Sequence, residues 1–364
     1  MIISRTPYRI SFFGGGTDYP AWYRQHGGAV IAASINKYCY LTCRYLPPFF
    51  EHRIQVLWSK VETCQTIDEI EHPAVRAVLG YLKLDRGISI LHDGDLPARS
   101  GMGSSSAFTV GLLHALYALQ GQMPSKQQLT KESIHVEQEI LKETVGSQDQ
   151  VLAAYGGLNH VNFLPGGEIS VRPMTLSPER ITELNSHLML FYTGIKRTAS
   201  DVADSYVSDL DAKRRQLRIM KDLVEESIGV LKSDRDLTSF GELLHETWQA
   251  KRSLSEKVSN PQVDELYEMA RSAGATGGKL TGAGGGGFLL LFVPPDRQPE
   301  VREKLNKLLH VPFKFEFSGS QIIFFEPQED YSEQDKNRAS QQIAAFRELT
   351  PASVQEENSC EKRG

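Results

Sequence analysis

The sequence predicts an α+β fold in two parts, and three observations carry that prediction. Strand-like and helix-like segments are mixed along the chain rather than grouped by type. Its 364 residues, 40% of them hydrophobic, suffice for a large core divided over two domains. Pro-Gly interludes at Pro165-Gly166-Gly167 and between Pro173 and Pro178 separate a β-rich first half from a second half that opens into long helical patterns. The expected division is 1–183, 184–327 and a polar tail, 328–364.

In chain order, Ile10 and Phe12 suit a strand that ends at the loop Gly14-Gly-Gly-Thr17-Asp18. Cys39 and Cys43 lie on another β-type run. Ile88-Ser-Ile-Leu91 is a strand, and Phe108, Leu112, Ala115, Leu116 and Leu119 recur at helical spacing. Between them lies Pro97-Ala-Arg99-Ser100-Gly101-Met102-Gly103-Ser104-Ser105-Ser106-Ala107. A helix that starts there offers unpaired N–H groups and the positive end of its dipole, so the loop is a candidate phosphate grip; an ordinary capped helix is the plain alternative. A helix-like run, Ile134 to Lys142, precedes Gly146-Ser-Gln-Asp149-Gln150. The second half predicts a strand at Leu188 to Tyr192 and helical patterns over Ser200 to Leu231 and Leu237 to Val258. A third helix is capped by Asn260-Pro261 and stopped by Gly274. After the tract Gly277 to Gly287 come a strand, Phe288 to Val293, a helix from about Pro299 to Leu309, and a strand at Gln321 to Phe325. The tail is rich in Gln, Glu, Lys, Ser and Asn, with one weak amphipathic patch at Ile343 to Leu349, and is expected to be partly helical and largely disordered.

Several function classes are excluded. The P-loop pattern fails because Ala273 and Leu280 stand where Gly and Ser or Thr are required around Gly278-Lys279. Gly101-Met-Gly103 lacks the third glycine of a dinucleotide fingerprint, and Gly282 to Gly287 is followed by a β-type run instead of a helix. No Gly-x-Ser-x-Gly elbow and no Cys-x-x-Cys pair occur. A net charge of -5 with scattered basic residues is no footprint for nucleic acid. No signal-like N-terminus and no membrane-length apolar run occur, and four cysteines make no disulfide scaffold, so a cytoplasmic location is expected. The oligomeric state stays open, a homodimer included.

Three segments together, Arg5-Thr-Pro-Tyr-Arg9 through Asp18, Pro97 through Ala107, and Gly277 through Gly287, resemble the signatures of the GHMP kinases. That superfamily includes galactokinase and the homoserine, mevalonate and phosphomevalonate kinases. The phosphate loop is similar to the family's P-x-x-x-G-L-G-S-S-A-A, with Met102 and Ser106 as departures. The resemblance implies a two-domain fold: an N-terminal domain with a left-handed βαβ crossover and a ferredoxin-like C-terminal domain. It also implies ATP and Mg²⁺. Pro97, Arg99, Ser100, Gly101, Met102, Gly103, Ser104, Ser105 and Ser106 would hold the nucleotide. Asp149 is the implied base, Arg9 the guanidinium that stabilises charge on the transferring group or lowers the basicity of the sugar oxygen, and Ser105 with Glu137 the metal ligands. Ser104 and Glu139 are the neighbouring alternatives for the metal.

The motifs Gly14 to Asp18, Gly146 to Gln150 and Tyr192-Thr-Gly-Ile-Lys196-Arg197 look most like members that phosphorylate the anomeric oxygen of a sugar. A phosphorylated heptose, D-glycero-D-manno-heptose 7-phosphate, is the first expectation; an unphosphorylated sugar such as fucose is the alternative, and a sugar sensor without turnover a third. Galactokinase-like members usually have Gly-Glu-His-Thr-Asp at 14–18, so Gly15 and Gly16 open room in the pocket. Gly14, Gly15, Gly16, Thr17 and Asp18 are expected around the sugar, Lys196 and Arg197 on its phosphate, and Gly284 and Gly285 against substrate. The expected partner is a small sugar phosphate, with no nucleic acid and no membrane.

Overall fold

The computed structural model describes residues 1–195, 199–207, 210, 212–234, 236–327, 329 and 331–341. Twelve strands are described: β1 Ile2–Phe13, β2 Gly28–Tyr45, β3 Ile54–Leu57, β4 Val61–Cys64, β5 Ile88–Gly94, β6 Leu158–Phe163, β7 Ile169–Pro173, β8 Leu188–Tyr192, β9 Gly277–Leu280, β10 Phe288–Phe292, β11 Leu309–His310 and β12 Gln321–Phe325. They form an eight-stranded and a four-stranded sheet, and the fold is α+β.

The first sheet runs β12-β1-β2-β5-β3-β4, with β6 and β7 branching from β2. The 18 residues of β2 permit the branch: Cys39–Tyr45 pair with β5 while Gly28–Ala33 pair with β6. β3 and β5 are parallel, which requires a crossover, and the helix Pro73–Tyr81 lies in it. The second sheet is antiparallel and runs β11-β8-β10-β9. Numbered within itself this is 4-1-3-2 with helices after the first and third strands, the ferredoxin-like arrangement.

The two parts share packing. Phe12 and Phe13 at the end of β1 meet Phe240 of the helix Thr238–Arg252 edge-on, at centroid distances of 5.5 and 5.0 Å. All three rings are fully buried, each contributing about 2–3 kcal/mol. The end of β1 is thereby fixed against the second part, and the functional cleft opens at this junction.

Some elements differ from the expectation. The pattern over Ser200 to Leu231 is two helices, Ala199–Val207 and Arg214–Lys232. Leu237 to Val258 is the helix Thr238–Arg252 followed by a 3₁₀ turn, Glu256–Val258. The helix expected to reach Leu309 spans Gln298–Lys304, and Leu309–His310 is instead the edge strand β11. Asn260 caps Pro261–Ser272 as expected, its Oδ1 accepting from Val263 N at 3.0 Å. β12 pairs antiparallel with β1, Ile2 opposite Phe325, so 184–327 does not close upon itself but returns its last strand to the first sheet. Within the tail a helix spans Ser332–Gln341, and the amphipathic patch at Ile343 to Leu349 lies outside the described residues. Among the described residues no helix is long and apolar enough to cross a membrane.

Candidate active site

The helix Ser104–Leu119 begins at Gly103, whose φ of 74° places it in the left-handed region and which carries no capping side chain. The N–H groups of the first turn therefore meet no side-chain oxygen and face a cleft of about 400 Å³ lined by Gly103, Ser104, Ser105 and Ser106. Glycine is needed here for space as well as for φ: a Cβ would stand 3.2 Å from Arg9 Cγ and 3.4 Å from Asp149 Oδ2. Arg99 and Gly101 also line the cleft, and Arg99 holds φ at 59°, a strained conformation costing about 1 kcal/mol. Pro97, Ser100 and Met102 do not line it; Met102 is fully buried, and its carbonyl accepts from Arg9 N at 3.0 Å.

Asp149 sits in the first turn of the helix Gln148–Tyr155, where the dipole favours its charge. Arg9 grips it with two parallel bonds, Nε to Oδ1 at 2.7 Å and Nη2 to Oδ2 at 2.6 Å, while Nη1 donates to Gly101 O at 2.8 Å. One side chain thus joins β1, the phosphate loop and Asp149. The guanidinium is 5% exposed and the carboxylate 25%, so the pair is shielded on one side and open to the cleft on the other.

Next to it, Asp18 is fully buried yet lines the cleft, accepting from Gly16 N and Gln148 Nε2, each at 2.9 Å. Burial pushes its carboxyl pKa up, and the neighbouring charge of Asp149 adds to this. Gly15, Gly16 and Gln148 complete this wall. Thr17 does not belong to it: the single proton of its hydroxyl is shared between Gly14 O at 2.8 Å and Ala29 O at 3.0 Å, and its oxygen accepts from Ala29 N at 3.1 Å. Gly14 is also structural, since at φ 77° any Cβ would overlap Ala29 O.

Glu137 lies on a single π-helical turn, Val136–Ile140, that continues the helix Lys126–His135. Its direct partners are Ser106 and Gln150: Ser106 Oγ donates to Glu137 Oε2 at 2.8 Å, and Gln150 Nε2 donates to the same oxygen at 2.5 Å, while Ser105 lines the cleft. Oε1 is buried without a hydrogen-bond partner, and burial raises the carboxyl pKa to about 8. An unpartnered carboxyl oxygen one residue behind the cleft wall, on a group protonated near neutral pH that a cation would deprotonate, fits a hard divalent cation. The alternatives fare differently: Ser104 lines the cleft, whereas Glu139 does not.

From the second part, Lys251, Lys279, Gly282 and Ala283 line the opposite wall. Lys251 Nζ donates to Gly282 O, and Lys279 Nζ to Phe12 O at 2.9 Å. Gly284 and Gly285 do not line the cleft; they pack on Val258, whose carbonyl accepts from Gly285 N at 2.5 Å. Lys196 and Arg197 lie outside the described residues. Sequence reasoning missed Lys251, Lys279, Gln148 and Glu143 as lining residues. Lys279 carried a signal, because it sits inside the glycine-rich tract; Lys251 carried none, being one of many helical lysines.

Two family models match the chain: the GHMP kinases N terminal domain over residues 70–157 and the GHMP kinases C terminal over 219–311. The D-glycero-alpha-D-manno-heptose 7-phosphate kinase of Campylobacter jejuni is 27% identical over 317 residues, 84% of this chain and 93% of that protein. A bifunctional fucokinase/GDP-fucose pyrophosphorylase of Arabidopsis thaliana is 26% identical over 332 residues, 83% of this chain and 31% of that longer protein. A solved structure of a D-glycero-D-manno-heptose 1-phosphate kinase from Bacteroides thetaiotaomicron shares the fold, with a TM-score of 0.73 at 23% identity, covering 90% of this chain and all of that one. With both halves of the family matched in order and the cleft formed where they meet, the chain belongs to the GHMP kinases.

Proposed function

We propose that this kinase transfers the γ-phosphoryl group of ATP to the anomeric C1 hydroxyl of a sugar, with D-glycero-D-manno-heptose 7-phosphate as substrate and the 1,7-bisphosphate as product, for nucleotide-activated heptose synthesis. The observation that carries the reading is the Arg9 bridge, which holds a carboxylate beside the mouth of an uncapped helix. The first-turn N–H groups of Ser104 to Ser106 bind the nucleotide phosphates. Asp149, oriented by Arg9, accepts the proton of the C1 hydroxyl as that oxygen attacks phosphorus and ADP leaves. Asp18 retains acceptor capacity for a second sugar hydroxyl beyond its bonds to Gly16 and Gln148. Glu137, with Ser105 or Ser106, would hold Mg²⁺, which when bound neutralises charge on the β- and γ-phosphates.

The similarity to the Campylobacter jejuni kinase supports the heptose phosphate. The similarity to the Arabidopsis fucokinase supports a second reading, a C1 kinase of an unphosphorylated sugar. Phosphorus NMR of products from MgATP with heptose 7-phosphate, free heptose and fucose separates the two. The expected outcome is a new anomeric phosphate signal with heptose 7-phosphate alone. Comparable turnover with and without the C7 phosphate removes the heptose 7-phosphate assignment, and no turnover of any sugar removes the kinase reading.

A further inference from the structure

The charges in the cleft are unevenly matched. Arg9, the cation expected to face the transferring group, is bound through both nitrogens of one edge to Asp149 and by its remaining terminal nitrogen to Gly101 O. Its charge is neutralised by the carboxylate that serves as base. Lys279 differs: among the described residues it makes one hydrogen bond, to the neutral carbonyl of Phe12, which leaves two of its three N–H bonds available. It is 1% exposed, lines the same cleft, and lies within electrostatic range of Arg9, Lys251 and Asp18.

We propose that the Lys279 ammonium, and not the Arg9 guanidinium, supplies the positive charge that meets the transferring phosphoryl group; this rests on the kinase reading of the cleft. In the step, the bond between the acceptor oxygen and phosphorus forms while the bond from the β,γ-bridging oxygen to phosphorus breaks. That electron pair leaves with ADP, and the acceptor proton passes to Asp149. Negative charge spreads over the three equatorial oxygens, where a preorganised cation in a dry site acts most strongly. Burial, with Lys251 and Arg9 nearby, lowers the lysine pKa well below its ordinary value, and the Asp18 charge opposes that fall; the negative charge of bound phosphates would act in the same sense as Asp18 and favour the ammonium. Lys279 is positioned by packing between the parts: β9 carries it, and the carbonyl that holds it belongs to β1.

The test uses K279M and K279Q, since Gln, though one atom shorter, retains N–H groups that can turn to Phe12 O and removes the charge. Both are expected to lose about 10²- to 10³-fold in kcat, with the KM values for ATP and sugar within about threefold of wild type. Calorimetric titration supplies a second measure, the preference for ADP with aluminium fluoride, a planar phosphoryl mimic, over ADP alone. This ratio should fall at least about 30-fold in both variants whatever their stability. Retained kcat or an unchanged ratio in K279M overturns the proposal, and so does recovery of activity in K279Q, which would make the lysine a structural tie to Phe12. An active wild type with active variants defeats the lysine alone; a wild type that phosphorylates no sugar defeats the kinase reading and this proposal together.

Discussion

Replacing Asp149 by Asn tests the centre of the site because it removes a charge and a base while nearly preserving shape. Arg9 is 5% exposed and would keep its charge without a counter-ion, and breaking a buried pair costs about 3–5 kcal/mol. The carboxylate is a quarter exposed and the Asn oxygen can still accept one bond from Arg9, which brings the expected loss to about 1–3 kcal/mol. The catalytic loss is separate. A positioned base contributes about 10²- to 10⁴-fold, or about 3–5 kcal/mol of barrier. Urea unfolding reads the first quantity and coupled ADP release the second, with ATP affinity by calorimetry as control. That affinity should stay within about threefold, since the first-turn N–H groups are untouched. A D149N enzyme with kcat within a few-fold of wild type refutes the assignment of the base, and a large stability loss with intact turnover would make Asp149 a structural counter-ion for Arg9.

Two further outcomes follow from buried groups. Glu137→Gln removes the carboxylate whose Oε1 has no partner, and should raise the Mg²⁺ concentration for half-maximal activity at least about tenfold; an unchanged metal titration moves the ligand elsewhere. His114 sits on the phosphate-loop helix, bonded through Nδ1 to Ser320 Oγ at 2.9 Å, and burial lowers its pKa to about 4. It folds neutral and unfolds protonated between about pH 4 and 6.5, so its contribution is complete above about pH 6.5 and is lost as pH falls towards 4. With allowance for partial exposure this amounts to about 1–2 kcal/mol, and His114→Asn should flatten the slope of urea stability between pH 7 and 5. An identical slope in the variant would rule out His114 as its source.

What the sequence by itself determined was local. The strand, glycine turn and helix from Ile88 to Leu119 are specified by residues within a few positions of one another, as are the Asn260 cap and the strand Gln321 to Phe325. Turn chemistry, capping and hydrophobic period act over that range, and the three family-like segments added the roles expected of Asp149 and Arg9. Tertiary structure decided which groups remain available for chemistry. Thr17 carries a hydroxyl suited to a sugar, yet three backbone groups take it up; of three adjacent serines it is Ser106 whose hydroxyl meets Glu137, 31 residues on and carried by a π-helical turn. β12 returns to β1, and Lys279 reaches Phe12 O across a separation of 267 residues. Such contacts depend on how two sheets and the helix Thr238–Arg252 pack around buried aromatic rings, a property of the whole core that no short window of residues encodes.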